Sequence, residues 1–369
     1  MYLLRLMRGI RQRGHEPLLF GVGGMRLTAC ARDEGIPVVE WKQRAVPAGG
    51  ETSFGSGVPP SRRGQRFDEL KKILPRAGLL LVGQILEAIR LKRLFATHPV
   101  DVMHINVHGY EVAGVACRWA RVPCVGVYCI SPVKTDRVRR FLIRQTARFY
   151  TLIICKSPIA SREWAMLYGL NVHTYIRNGV DVQKYAAASF DRAWTNNPLI
   201  IVAAGRLANK GFENLIEAIA RVPHGRVKLL IAGDGKNCDK LQHLIDQLNL
   251  QEIVRLEGLV EDMPDFYAKG HCFSAVSQES WAGSTVLEAM ASGLLVVAGN
   301  DDVIQPGITG WICPYGNPEQ LAQTFNAIAL LPCAQRQEVA RNAQREALAN
   351  FSNERMIAET EQLYLSMRS

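Results

Sequence analysis

The chain has 369 residues, 48% of them hydrophobic and 21% charged, with a formal net charge of +10 at pH 7. Such a length holds two domains with their own cores, and the composition is that of an ordinary soluble globular protein. Nine cysteines stand singly with no C-x-x-C pair, which argues against a structural zinc and for small buried hydrophobes in a reducing compartment. No segment reads as a secretory signal. The longest apolar stretch, AGLLLVGQILEAI, is cut by Gln84 and Glu87, so no membrane span is expected.

Short apolar runs alternate with helical stretches along the whole chain. The strand candidates of the first half are PLLFGVG, IPVVEW, VDVMHIN, PCVGVYCI and TLIICKS. Those of the second half are LIIVAAGR, VKLLIAGDG, IVRLEG, HCFSAVS and LLVVAGN. Runs rich in Val and Ile and bounded by Gly or Pro suit strands buried on both faces, and the helices between them imply parallel sheets with right-handed crossovers. Two doubly wound α/β domains are expected, over 1–180 and 198–350, with a linker at 181–197 and a C-terminal helix at 351–369. Residues Pro47 to Phe67, rich in Gly, Ser and Pro, are expected to form a loop.

Charge is unevenly spread. Residues 1–180 hold 28 Lys and Arg against 12 Asp and Glu, whereas residues 181–369 hold 16 against 22. A basic first half suits an anionic partner, whether membrane headgroups, an acidic glycolipid or, more weakly since no recognised binding module surrounds the basic residues, nucleic acid. Ordinary solvated charge is the plainer alternative. Within it, DRVRRFLIRQTARFY places Arg137, Arg140, Arg144 and Arg148 on one helical face beside apolar residues, a pattern suited to anionic lipid or to a helix packed on its own domain. His104 and His108 are expected in or behind the core. Asp301-Asp302 is expected in a surface turn, and Asn178-Gly179 as a turn signal.

Ligands of open parallel sheets bind beyond the carboxyl ends of the strands. There, IIVAAGRLANKGFENLIEAI sets Arg206 and Lys210 on one loop after Gly205 and before a helix. An Arg fork and a Lys point charge suit a diphosphate; two solvated cations are the plainer alternative. The stretch SQESWAGSTVLEAMASG offers Gly283, Ser284 and Thr285 at a helix start, where free N–H groups attract anions. Glu279 and Glu288 flank these small residues, and a carboxylate that accepts two hydrogen bonds from neighbouring hydroxyls is a natural sugar or ribose contact.

Taken together, NGVDVQKY, GRLANKG and ESWAGSTVLEAMASG resemble, in order and spacing, the retaining glycosyltransferase family 4. GDGKNCDKL, LEGLVEDMPDFYAKGHCFSAVS and ITGWICPYGNPEQLA are similar to the same family's second domain. The resemblance implies the GT-B fold, in which two Rossmann-like domains face each other across a cleft. It implies that Arg206 and Lys210 hold the donor diphosphate and Glu288 the ribose. Glu279 would lie beside the transferred sugar, with Gly205, Gly283, Ser284 and Thr285 near the donor. The reaction implied is a metal-independent transfer with retention, from a nucleoside diphosphate sugar to a glycan or glycolipid acceptor, with no resident cofactor. The setting implied is lipopolysaccharide or exopolysaccharide assembly in the cytoplasm, with a peripheral contact on the membrane's inner face and no nucleic-acid partner.

The chain departs from the family pattern in three places. Eight residues rather than seven separate Glu279 from Glu288, so either Glu279 or Ser280 takes the first acid position. The family's opening strand and Gly-rich loop have no counterpart, so the first domain is expected to lack its first strand. Near Cys129, where the family often carries a His, Tyr128, Cys129 and Ser131 face the acceptor side with no role assigned. Two rival readings follow: a non-hydrolysing nucleotide-sugar epimerase of the same fold, and a nucleotide-sugar-binding protein impaired in catalysis.

Overall fold

The computed structural model describes residues 2–22, 26–41, 76–106, 112–128, 137–187, 194, 198–208, 211–275, 283–299 and 301–367. The expected loop from Pro47 to Phe67 lies outside them. The chain divides into two compact units: Met1–Lys156, Ala160–Tyr175 and Thr360–Ser369 form the first, and Ser157–Ile159 with Ile176–Glu359 the second.

In the first unit, α1 (Tyr2–Gln12), β1 (Leu19–Val22), α2 (Arg26–Asp33) and β2 (Val38–Trp41) come first, followed by the long α3 (Arg76–Thr97). Then β3 (Met103–Asn106), β4 (Cys124–Tyr128), β5 (Leu152–Cys155) and β6 (Thr174–Tyr175) alternate with α4 (Ala113–Ala120), α5 (Arg137–Ala147) and α6 (Pro158–Tyr168). All pairings are parallel, in keeping with the helices that cross over between successive strands. The strands fall into two sheets, β1-β2 and β3-β4-β5-β6, and no strand among the described residues joins them. Leu91, Phe95, Cys117, Tyr128, Ile153 and Trp164 anchor the core over the larger sheet.

The second unit is one six-stranded parallel sheet in the order β12-β11-β10-β7-β8-β9. It comprises β7 (Leu199–Ala204), β8 (Val227–Ala232), β9 (Val254–Gly258), β10 (Cys272–Ala275), β11 (Leu295–Ala298) and β12 (Trp311–Ile312). The helices between them are α8 (Phe212–Ile219), α9 (Cys238–Gln247), α10 (Met263–Ala268) and α11 (Ser284–Ala291); α7 (Val182–Ala187) precedes the sheet. After it come α12 (Pro318–Leu330), α13 (Cys333–Asn350) and α14 (Asn353–Ser366). Alternation along β7 explains the two-sided core. Leu199, Ile201 and Ala203 face a layer with Phe212, Ile216, Leu241 and Phe325, whereas Val202 faces a layer with Phe266, Tyr267, Leu287 and Ala343.

Two expectations change. Asn178-Gly179 makes a close approach rather than a glycine turn: a Cβ on Gly179 would lie 2.7 Å from Asn353 Cα and from Ser352 O. The strand-like contact there is closed by Val180 N–H to Phe351 O at 2.9 Å and Asn353 N–H to Val180 O at 3.0 Å. Asp301-Asp302 is not a surface turn either. Asp301 is 8% exposed, and Asp302 is ion-paired with Arg177.

Candidate functional site

Strand order in the second unit fixes where a ligand can sit. From β7 the chain moves to β8 and β9 on one side, then returns to place β10 on the other side of β7. Such a reversal opens a crevice beyond the carboxyl ends of the two central strands. Cys272 pairs with Ile201 and Phe273 with Val202, so the Arg206 loop and the segment leading to Gly283 leave neighbouring parallel strands at the same edge. Sequence reasoning found both loops. It could not show that they are neighbours.

The first loop is held by backbone. Gly205 N–H donates to Ala232 O at 3.0 Å, Leu207 N–H to Asp234 O at 3.0 Å, and Asn237 N–H to Leu207 O at 2.9 Å. Asn237 Nδ2 adds a bond to Ala208 O at 2.6 Å. The loop after β8 therefore clamps the loop after β7, and Gly233 allows the contact because a Cβ there would sit 1.9 Å from Gly205 O. On this scaffold Arg206 is exposed and makes no ion pair with a described residue. Lys210 lies outside the described residues.

The second loop ends in a helix start without a side-chain cap. Gly283, exposed and extended (φ −62°, ψ 160°), is the N-cap of α11, and no acid occupies the helix's first turn. The first N–H groups, at Ser284 and Thr285, thus keep their positive end of the helix dipole. By contrast, α8 starts with Glu213, which is paired with Lys240 at 3.2 Å. Glu288, one turn into α11, is 6% exposed, and its Oε2 accepts the Tyr267 hydroxyl at 3.4 Å. Burial first, then the Glu288 charge, holds the Tyr267 phenol well above its ordinary value, so it stays a neutral donor. Sequence reasoning missed Tyr267, whose only signal is an aromatic residue inside FYAKGHCF. Glu279 and Ser280 lie outside the described residues. No group of three or more His, Cys, Asp or Glu placed to hold a metal occurs among the described residues.

In the first unit, His104 belongs to the interior. Its Nδ1 meets the Tyr364 hydroxyl at 2.7 Å, and burial first, then Lys156, pushes its pKa down to about 3. His108, Cys129 and Ser131 lie outside the described residues, and Tyr128 is buried with its ring 4.4 Å from that of Trp164. Phe141 on α5 is 60% exposed, and Arg144 on the same helix and Arg148 just beyond its end are exposed too. The Arg144 guanidinium lies over Gly169 at the end of α6, a helix that exposes Arg162 and leaves Met166 83% accessible. Arg144, Arg148 and Arg162 make no ion pair with a described residue; the side chains of Arg137 and Arg140 are outside those described. No helix among the described residues is long and apolar enough to cross a membrane.

Comparison with known proteins agrees with this geometry. Over 99% of this chain and 94% of the other, the fold matches a glycosyltransferase from Rickettsia africae ESF-5 with a TM-score of 0.77 at 17% identity. Anabaena HepE in complex with UDP matches over 99% and 95% with a TM-score of 0.77 at 20% identity. HepE has also been solved in complex with UDP-glucose (TM-score 0.73, 21% identity, 98% and 95% coverage). The fold is thus that of the GT-B glycosyltransferases. Within it, residues 186–346 match the Glycosyl transferases group 1 family. A lipopolysaccharide core biosynthesis glycosyltransferase, LpsE of Rhizobium meliloti, is 30% identical over 216 residues, 56% of this chain and 59% of LpsE. The N-acetyl-α-D-glucosaminyl L-malate synthase of Bacillus anthracis is 28% identical over 164 residues, 42% of each chain. The matches span about half the length of these curated relatives.

Proposed function

We propose that this chain is a glycosyltransferase that moves a sugar from a nucleoside diphosphate sugar to a glycan or glycolipid acceptor. The observation that carries the reading is the strand reversal between β7 and β10, which sets the exposed Arg206 and the Gly283-capped start of α11 at adjacent strand ends. The diphosphate lies between them, with Arg206 and Lys210 as its cations and the Ser284 and Thr285 N–H groups as donors. Glu288 accepts hydrogen bonds from the ribose hydroxyls, and Glu279 stands beside the transferred sugar. Neighbours crystallised with UDP and UDP-glucose support a nucleotide-sugar donor.

As the sugar–phosphate bond breaks, the departing diphosphate gains negative charge and the sugar becomes oxocarbenium-like. Fixed cations on the diphosphate lower that barrier. They supply charge that a metal supplies elsewhere, so the reading invokes neither a metal nor a resident cofactor. The acceptor hydroxyl attacks from the side the leaving group vacates and gives its proton to the departing phosphate oxygen. The configuration is retained, and no protein nucleophile takes part.

The likeness to LpsE supports a place in lipopolysaccharide or exopolysaccharide assembly. The face made by Phe141, Arg144, Arg148, Arg162 and Met166, on the basic half of the chain, supports peripheral docking on the anionic inner face of the cytoplasmic membrane. The test is incubation with UDP-, GDP- and ADP-sugars, with and without a glycolipid acceptor. Free nucleoside diphosphate released only when acceptor is present supports the transferase. An interconverted sugar, or binding without turnover, would instead favour the epimerase or the binding protein.

A further inference from the structure

We infer that Tyr267 is a positioning residue that aims the Glu288 carboxylate at the nucleotide's ribose. The inference rests on the assignment of Glu288 above and adds a residue that does not touch the ligand. Tyr267 is fully buried on α10, and its hydroxyl is 3.4 Å from Glu288 Oε2 on α11. Its ring is fixed from three sides. Phe273 of β10 meets it edge-on at 5.6 Å, Phe266 lies at 6.0 Å, and Tyr185 of α7 at 5.9 Å. A phenol so confined has little freedom to move its hydroxyl.

A carboxylate that must accept from two vicinal hydroxyls needs a set torsion, because both of its oxygens have to face the sugar edge. Glu has three rotatable side-chain bonds, and the last is broad and roughly two-fold. A neutral donor held by packing narrows it. The donor also helps stabilise the charged form of an acid that is only 6% exposed. Because β10 lies between α10 and α11 in sequence, the contact ties both flanking helices to the strand from which the donor loop departs.

The experiment is calorimetric titration of wild type, Tyr267→Phe and Glu288→Gln with UDP, GDP and ADP and their 2′-deoxy counterparts, comparing the tightest ribonucleotide with its deoxy form. At 3.4 Å the hydrogen bond is long, so Tyr267→Phe is expected to weaken the ribonucleotide about 3- to 10-fold. It should change the deoxynucleotide less than about 2-fold and leave the melting temperature within a few degrees, since the ring is kept. An equal loss for both nucleotides would mean a merely structural role and overturn the inference. So would no loss in Tyr267→Phe while Glu288→Gln weakens the ribonucleotide, a result that leaves the Glu288 assignment standing. If Glu288→Gln binds as wild type, or if no nucleotide binds at all, the assignment of Glu288 falls and the inference with it.

Discussion

Arg177 forks onto Asp302, with Nη1 2.9 Å from Oδ1 and Nη2 3.1 Å from Oδ2. The pair ties the segment that enters the second unit to the loop beyond β11, and the guanidinium also stands 5.8 Å from the Phe351 ring centre. Both side chains are largely buried. Replacing Asp302 with Ala removes this bidentate acceptor and should cost about 1–3 kcal/mol of stability. Arg177→Lys keeps the charge but loses the fork, so it should cost less. Urea denaturation of the two variants beside wild type checks the order.

Gly233 gives a sharper case. Its neighbour Gly205 O leaves no room for a methyl group, with 1.9 Å to an added Cβ, and the backbone sits at φ +149°. Gly233→Ala should therefore push the Arg206 loop away from the loop after β8. The expected cost is at least about 3 kcal/mol, with nucleotide binding lost along with stability. Gly225→Ala is the comparison: it also has positive φ but open space around it, and it should lose stability while sparing nucleotide binding. Melting curves and nucleotide titration on both variants separate the two effects.

Asp301 links stability to pH. Burial first, then the neighbouring Asp302, pushes its carboxyl up to about 6, although Val303 N–H donates to it at 3.1 Å. The folded chain therefore holds this proton more tightly than the unfolded chain does. Its contribution favours folding below the unfolded carboxyl value, near 4, and is lost as pH climbs through about 6. By that linkage the buried charge costs about 3 kcal/mol above pH 6. Asp301→Asn keeps the acceptor for Val303 and should raise Tm at pH 7.5 by about 5 °C while changing little at pH 4. Thermal melts at the two pH values test the sign.

The proposed membrane face makes a salt-dependent prediction. Co-sedimentation with phosphatidylglycerol-rich vesicles at low salt should fall steeply as ionic strength rises, because exposed arginines are screened within a Debye length of about 10 Å at 0.1 M. Phe141→Ser and Arg144→Ala should each weaken it several-fold. Equal binding to neutral phosphatidylcholine vesicles would contradict the assignment of this face.

Much of the fold was legible because fully buried parallel strands are written as unbroken apolar runs. LIIVAA and VKLLIA become β7 and β8 with little ambiguity, and Gly205 and Gly283 mark where a strand ends and where a helix begins. Less legible was whatever depends on non-local contact. Asp301 and Asp302 look like any polar turn until Arg177, distant in sequence, supplies a counter-charge. Gly179 looks like a turn former, yet the reason for it is the backbone of Ser352 and Asn353. Tyr267 meets Glu288 only after β10 has turned the chain through the sheet. The adjacency of β10 and β7, on which the site depends, skips two strands in chain order.

The account stands or falls on the diphosphate grip. Titrating UDP, GDP and ADP into wild type, Arg206→Ala and Lys210→Ala tests it most directly. The tightest of the three should bind wild type and lose at least about 10-fold in each variant, with Tm barely changed for the exposed Arg206. Turnover should fall by about 10²–10³, as expected when a fixed charge on the leaving group is removed. Wild-type affinity in both variants would place the diphosphate elsewhere and contradict the account.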